Sequence, residues 1–319
     1  MTSSQSGGVD DDTTGVRSAL LAALQRRMDS ITAGESTTND LQVALTVLDE
    51  LLEAARVFSP WREQPKLTIF GSARTKPSHV LYEMAEQLSR EMATRGWITV
   101  SGAGPGIMEA SAKGAGIGHT LGVNIDLPFE QNANPYIDAE SRLVAMKYFF
   151  TRKVALTRES IAFVVFPGGL GTLDELFELL TLMHTGKSKP APVVLVEEPG
   201  GSYWNQWLVF MRDAVMDSGY LDQKDACLFS LCQSVPSVIG EIERFYTNYQ
   251  SFTLDGARGL IQLRTRPTPL QLEKTAEMFP MFNRVEGIKC DGSSLTFDFD
   301  GRNYVNLRLL IDEVNRWTP

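Results

Sequence analysis

The sequence predicts an α/β protein built on a Rossmann-like, doubly wound parallel sheet, and three observations carry that prediction. From Lys66 to about residue 250, apolar runs of strand length alternate with longer segments of helical period. Glycine-rich turns follow three of those runs, at Gly71, at Gly102, Gly104 and Gly106, and at Gly168, Gly169 and Gly171. The run 161–166 is apolar throughout, as a central strand covered on both faces must be.

Along the chain, residues 1 to about 15 are polar and acidic and read as a disordered leader, without the apolar stretch of a signal peptide. A helix is expected over 16–31, broken by 32–38. A second, capped near Asn39 or Asp40, carries Leu41, Ala44, Leu48, Leu51, Leu52 and Ala55 on a stripe expected to pack on the domain that begins at Lys66. Strands are expected near 67–70, 97–101, 120–125, 142–146, 161–166 and 192–197. The helices between and after them fall near 78–95, 106–117, 147–157, 172–185, 203–218 and 235–249. After Ser251 the pattern shortens to a strand over 260–263, a helix near 268–278, paired strands near 284–289 and 294–300 around Asp291-Gly292, and a helix near 303–316. Three regions follow: 1–38, leader and helix; 39–250, a Rossmann-like domain; and 251–319, a small β-α-β-β-α appendage.

A net charge of −9 over 319 residues argues against nucleic acid as a partner, and no apolar run approaches a membrane span, so a cytoplasmic protein is expected. Cys227, Cys232 and Cys290, with His79, His119 and His184, build neither a zinc site nor a disulfide framework. No metal and no cofactor is expected.

The chemistry concentrates in the turns. Val164-Val165-Phe166-Pro167-Gly168-Gly169-Leu170-Gly171-Thr172 passes from strand to helix through glycines that let backbone N–H groups approach an anion, at the positive end of a new helix. Thr172 is expected to cap that helix and offer its hydroxyl to phosphate. Glu175, expected in the first helical turn, either caps the helix or faces another part of the ligand. Ser72 and Arg74 are phosphate candidates from the first turn. Arg152, among bulky apolar neighbours, is the kind of arginine held in a site. Met108 and Glu109 open the helix after the second turn, where Met108 could be core and Glu109 a partner of the helix dipole.

Pro167-Gly168-Gly169-x-Gly171-Thr172-x-x-Glu175 with Arg152-Lys153 upstream resembles the Lonely Guy (LOG) phosphoribohydrolases, long mislabelled as lysine decarboxylases. Phe70-Gly71-Ser72-Ala73-Arg74, Gly104-Pro105-Gly106-Ile107-Met108-Glu109-Ala110 and Leu127-Pro128-x-Glu130-Gln131-x-x-Asn134 match as well, over about residues 40–250. The resemblance implies removal of the free base from a nucleoside 5′-monophosphate, AMP or an N6-modified form of it, by a homodimer. It implies catalytic roles for Glu175 and Arg152, and base or ribose contacts for Gly104, Met108, Glu109, Glu130, Asn134 and Lys153. Phe149, Phe150 and Thr151 stand where shorter plant-type members carry a methionine and a histidine, a departure that resembles the longer bacterial members and weakens the plant-type choice of a prenylated base. The alternative is a non-catalytic nucleotide-binding or cofactor-carrier protein of the same fold. A dinucleotide-dependent oxidoreductase is disfavoured, because the Gly102, Gly104, Gly106 spacing is not that of the dinucleotide fingerprint.

Overall fold

The computed structural model describes residues 10–32, 34, 36–126 and 133–317, and the chain divides into two units, 1–49 and 50–319. The first unit holds α1 (Asp10–Thr32) and the start of α2 (Thr38–Phe58). α1 begins inside the stretch read as a disordered leader, since a helix once nucleated gains a hydrogen bond with each residue added. The cap of α2 is Thr37 rather than Asn39 or Asp40. Thr37 Oγ1 accepts from the Asp40 N–H at 3.2 Å, and the Asp40 carboxylate accepts from the Thr37 N–H at 2.9 Å.

Within the second unit, the buried residues of α2 are Glu50, Ala54, Val57 and Phe58, whereas Leu52 of the expected stripe is exposed. Apolar residues lie on two faces of this helix, and periodicity does not choose between them.

Seven strands form a fully parallel sheet: β1 (Lys66–Phe70), β2 (Ile98–Ser101), β3 (Thr120–Ile125), β4 (Leu143–Met146), β5 (Ala162–Val165), β6 (Val193–Val196) and β7 (Ser230–Cys232), in the order β4-β3-β2-β1-β5-β6-β7. The predicted doubly wound sheet is therefore present. β7 was not expected from the sequence, because three residues at a sheet edge are too few to show a period.

The connecting helices are α3 (Val80–Thr94), α4 (Ile107–Ala115), α5 (Phe149–Arg158), α6 (Leu170–His184), α7 (Tyr203–Phe210) and α8 (Val235–Phe245), with α7 prolonged by a π-helical segment, Met211–Met216. Side chains alternate across the strands, as a pleated backbone requires. Phe163 and Val165 join the core formed with α2, α5, α6 and α7; Val164 and Phe166 join the one under α3, α4 and α8. The chain winds outward from β1 to β4 and then returns to place β5 on the other side of β1. The carboxyl ends of β1 and β5 thus flank the topological switch point, where open α/β sheets bind ligands.

The remaining chain forms β8 (Tyr249–Asp255), β9 (Arg258–Leu263), α9 (Pro269–Met278), β10 (Lys289–Asp291), β11 (Ser294–Asp298) and α10 (Tyr304–Val314), with an antiparallel sheet ordered β10-β11-β9-β8. The order is β-β-α-β-β-α, not the expected β-α-β-β-α. β8 escaped prediction because its burial does not alternate and a register shift interrupts its pairing near Tyr249 and Ser251. The strand expected near 284–289 lies at Lys289–Asp291, because the N–H groups of Arg284, Val285, Glu286 and Gly287 donate to the Asp298 carboxylate instead of to a ladder. Among the described residues no helix is long and apolar enough to cross a membrane.

Candidate functional site

The three glycine turns follow β2, β1 and β5, which are neighbours in the sheet, and backbone hydrogen bonds tie them together. The Ser72 N–H donates to the Pro167 carbonyl at 3.1 Å, and the Ile107 N–H donates to the Ser72 carbonyl at 3.1 Å. Gly106 makes the second contact possible: its φ is +68°, and a Cβ there would stand 2.3 Å from the Ser72 carbonyl oxygen. The turns converge on a cleft of about 630 Å³, lined by Ser72 and Arg74 from the first, Gly102 and Met108 from the second, Gly169, Gly171, Thr172 and Glu175 from the third, and Phe149 and Arg152 from α5.

α6 starts at Leu170, so Gly169, not Thr172, is its N-cap, and no side chain caps it. The first turn of any helix leaves N–H groups without partners inside the helix, and here they open toward the cleft. Thr172 lies within that turn and packs on Gly168, where a Cβ would come within 2.1 Å of Thr172 Oγ1. At Gly169 and Gly171 an added Cβ would meet no protein atom within 4 Å.

Because α6 begins at Leu170, Glu175 sits in the second turn, past any capping position. It is 6% exposed, and its Oε2 is buried without a hydrogen-bond partner. Burial pushes its carboxyl up to about 7, against the opposing pull of Lys153 and Arg152, while Glu178 and Asp174 add to the rise. Arg152 is half-buried in α5 and donates from Nε to the Val123 carbonyl at 3.0 Å. Burial lowers its pKa, and Glu175 offsets part of that. Gly102 leaves the space for its guanidinium: a Cβ there would lie 2.1 Å from Arg152 Nη2. A cation and a nearly desolvated carboxylate therefore line the same cleft near the N-terminus of a helix, close enough for each to shift the other's titration.

The other sequence candidates are placed differently. The Lys153 ammonium lies 3.0 Å from Asp174 and 2.5 Å from Glu178, outside the cleft lining. Glu109 faces Tyr82, whose phenol is pushed up to about 12 by burial first and by Glu109 next. The Gly104 carbonyl accepts from Asn134 Nδ2 at 3.2 Å, and Asn134 is buried outside the lining. Glu130 lies outside the described residues. Arg74 is exposed at the cleft rim.

Glu50, not singled out in the sequence, is 7% exposed and accepts from the Lys147 N–H at 2.6 Å and from the Thr151 hydroxyl. It ties α2 to the entry of α5, the helix that carries Arg152, by holding the residue before its N-cap and a hydroxyl of its first turn. No sequence signal marks it, because its partners lie about a hundred positions away.

A family model described as possible lysine decarboxylase matches residues 106–242. A cytokinin riboside 5′-monophosphate phosphoribohydrolase of Mycobacterium tuberculosis is 33% identical over 161 residues, 48% of this chain and 81% of the relative. A pyrimidine/purine nucleotide 5′-monophosphate nucleosidase of Escherichia coli is 29% identical over 142 residues, 42% of this chain and 31% of that protein. Among solved structures, the molybdenum cofactor binding protein of Rippkaea orientalis is similar with a TM-score of 0.42 and 20% identity, covering 57% of this chain and 96% of its own.

Proposed function

This chain belongs to the LOG family of phosphoribohydrolases, and from that premise we propose that it hydrolyses the N-glycosidic bond of nucleoside 5′-monophosphates, releasing free base and ribose 5-phosphate. The observation that carries the reading is Glu175, a buried carboxylate with an unpartnered oxygen, in one cleft with Arg152 and the glycine turn that begins α6. The phosphate sits against the N–H groups that begin α6 and the glycines before them, with Ser72 and Thr172 lending hydroxyls. The ribose then lies over Glu175. As the C1′–N bond breaks, its electron pair leaves with the base and positive charge grows on C1′ and the ring oxygen. Anionic Glu175 stabilises that charge and orients the attacking water; the hydroxyl joins C1′ and the proton goes on to the base. Arg152 holds the substrate near the scissile bond.

A lysine decarboxylase needs pyridoxal phosphate on a Schiff-base lysine. Among the described residues no lysine lines the cleft, and Lys153 is committed to Asp174 and Glu178, so these residues do not fit that cofactor. The same proposal includes a cytoplasmic homodimer. Phe149 and Leu170, 54% and 88% exposed, line the cleft and, with Phe150 at 53%, offer apolar surface that a second copy would cover. Incubating the protein with purine and pyrimidine monophosphates and following free base by chromatography tests the reaction. Stoichiometric nucleotide binding with no base released would favour a carrier and overturn the hydrolase reading.

A further inference from the structure

We propose that Asn134 is a positioning residue, which locks the turn after β2 in the left-handed conformation at Ala103 that keeps the Arg152 slot against Gly102. Among the described residues, Ala103 is the non-glycine residue with positive φ, at +62°, and it is fully buried. A Cβ makes that conformation unfavourable, and it persists where the surroundings hold it in place.

Asn134 is what holds it. Its backbone N–H donates to the Ala103 carbonyl at 2.9 Å, and its Nδ2 donates to the Ala103 carbonyl at 3.1 Å and to the Gly104 carbonyl at 3.2 Å. Its Oδ1 accepts from the Tyr136 N–H at 3.2 Å. The side chain thus spends donors and acceptor on the protein, which leaves it little to offer a nucleotide. On the other side of Ala103, its N–H donates to Ser101 Oγ at 3.3 Å, which steadies the preceding peptide. Gly102 comes next to this locked residue and presents the face on which the Arg152 guanidinium lies. If Ala103 relaxes to negative φ, the neighbouring peptide turns and the slot goes with it. Arg152 then leaves Glu175, whose remaining charged neighbours are Lys153 on α5 and Asp174 and Glu178 on α6.

The test pairs Asn134→Ala with Ala103→Gly, because glycine adopts positive φ without help and makes the clamp unnecessary. The readout rests on the proposed hydrolase activity, but its logic does not. In Asn134→Ala we expect kcat on AMP to fall about tenfold or more, and the acidic limb of the pH–rate profile to move to higher pH as Arg152 ceases to oppose burial at Glu175. The double variant returns both to the parent. An unchanged single variant, or a folded single variant that Ala103→Gly does not rescue, overturns the proposal. If Asn134→Ala does not fold, a folded and active double variant supports the clamp and an unfolded one defeats it. A parent that releases no base defeats the hydrolase reading instead, and carboxyl NMR of Glu175 then reads the clamp without turnover: its titration must rise in Asn134→Ala and return in the double variant.

Discussion

Glu175 in the parallel-sheet region and Asp298 in the antiparallel sheet are both largely withdrawn from solvent, yet their surroundings treat them in opposite ways. Burial acts to raise the Asp298 carboxyl, but the N–H groups of Val285, Gly287 and Glu286 and the Arg258 guanidinium reverse it and bring it down to about 2. Arg258 stands 2.7 Å away. Glu175 has one oxygen with no partner at all and is pushed up to about 7. A carboxylate whose bonds are all made organises the loop around it. One that is buried and left short is held ready for the positive charge that develops on a bound ribose, which is the signature of a site rather than of a scaffold.

The largest effect that tests this contrast is on turnover. Glu175→Gln keeps the shape and removes the charge, and base release from AMP should fall by about a hundredfold or more, with the circular dichroism spectrum unchanged. A loss smaller than about threefold would mean that the unpartnered oxygen has no catalytic use. In the parent, activity should rise as pH climbs through about 7, where Glu175 ionises.

Stability separates the two carboxylates next. Asp298→Ala strands the N–H groups of 284–287, and urea unfolding should show a loss of about 2–4 kcal/mol. Asp298 titrates at about 2 when folded, against a reference of 3.8, so its contribution is present above the reference value and disappears as pH falls through about 2. Glu175 runs the other way. Its folded value of about 7 exceeds the reference 4.5, so the folded protein holds the extra proton; the stabilisation is complete below 4.5 and lost as pH rises through about 7. Glu175→Gln should therefore stabilise the protein at pH 8 by about 1–3 kcal/mol, whereas Asp298→Asn should stabilise it at no pH.

Glu50→Ala lies between the two cases, because this carboxylate is satisfied yet supports the helix of Arg152. Thermal unfolding should register a loss of about 1–3 kcal/mol from the stranded Lys147 N–H and Thr151 hydroxyl. The smallest structural effect belongs to Gly169→Ala. Its added methyl meets no protein atom within 4 Å, so stability should shift by less than about 0.5 kcal/mol, while KM for AMP rises several-fold because the methyl occupies ligand space. Gly168→Ala, which collides with Thr172 Oγ1, should instead destabilise the fold. Equal KM and equal stability for the two variants would remove the distinction between ligand space and packing space.

What the sequence determined by itself was local. A run apolar at every position is a buried strand whatever surrounds it, three glycine turns after strands point to one end of a sheet, and the spacing from Gly168 to Glu175 places the carboxylate on the helix that leaves the turn. β7 and β8, by contrast, exist because a neighbouring strand is there to pair with them, not because of their own pattern. The tertiary structure alone decided the partners. Glu50 finds Lys147 and Thr151 about a hundred residues away, Lys153 pairs with Asp174 and Glu178, and Asn134 spends its donors on Ala103 and Gly104. Periodicity records which face of an element is apolar; the bond a buried polar group makes depends on what the fold brings opposite it, and no local pattern in the chain encodes that.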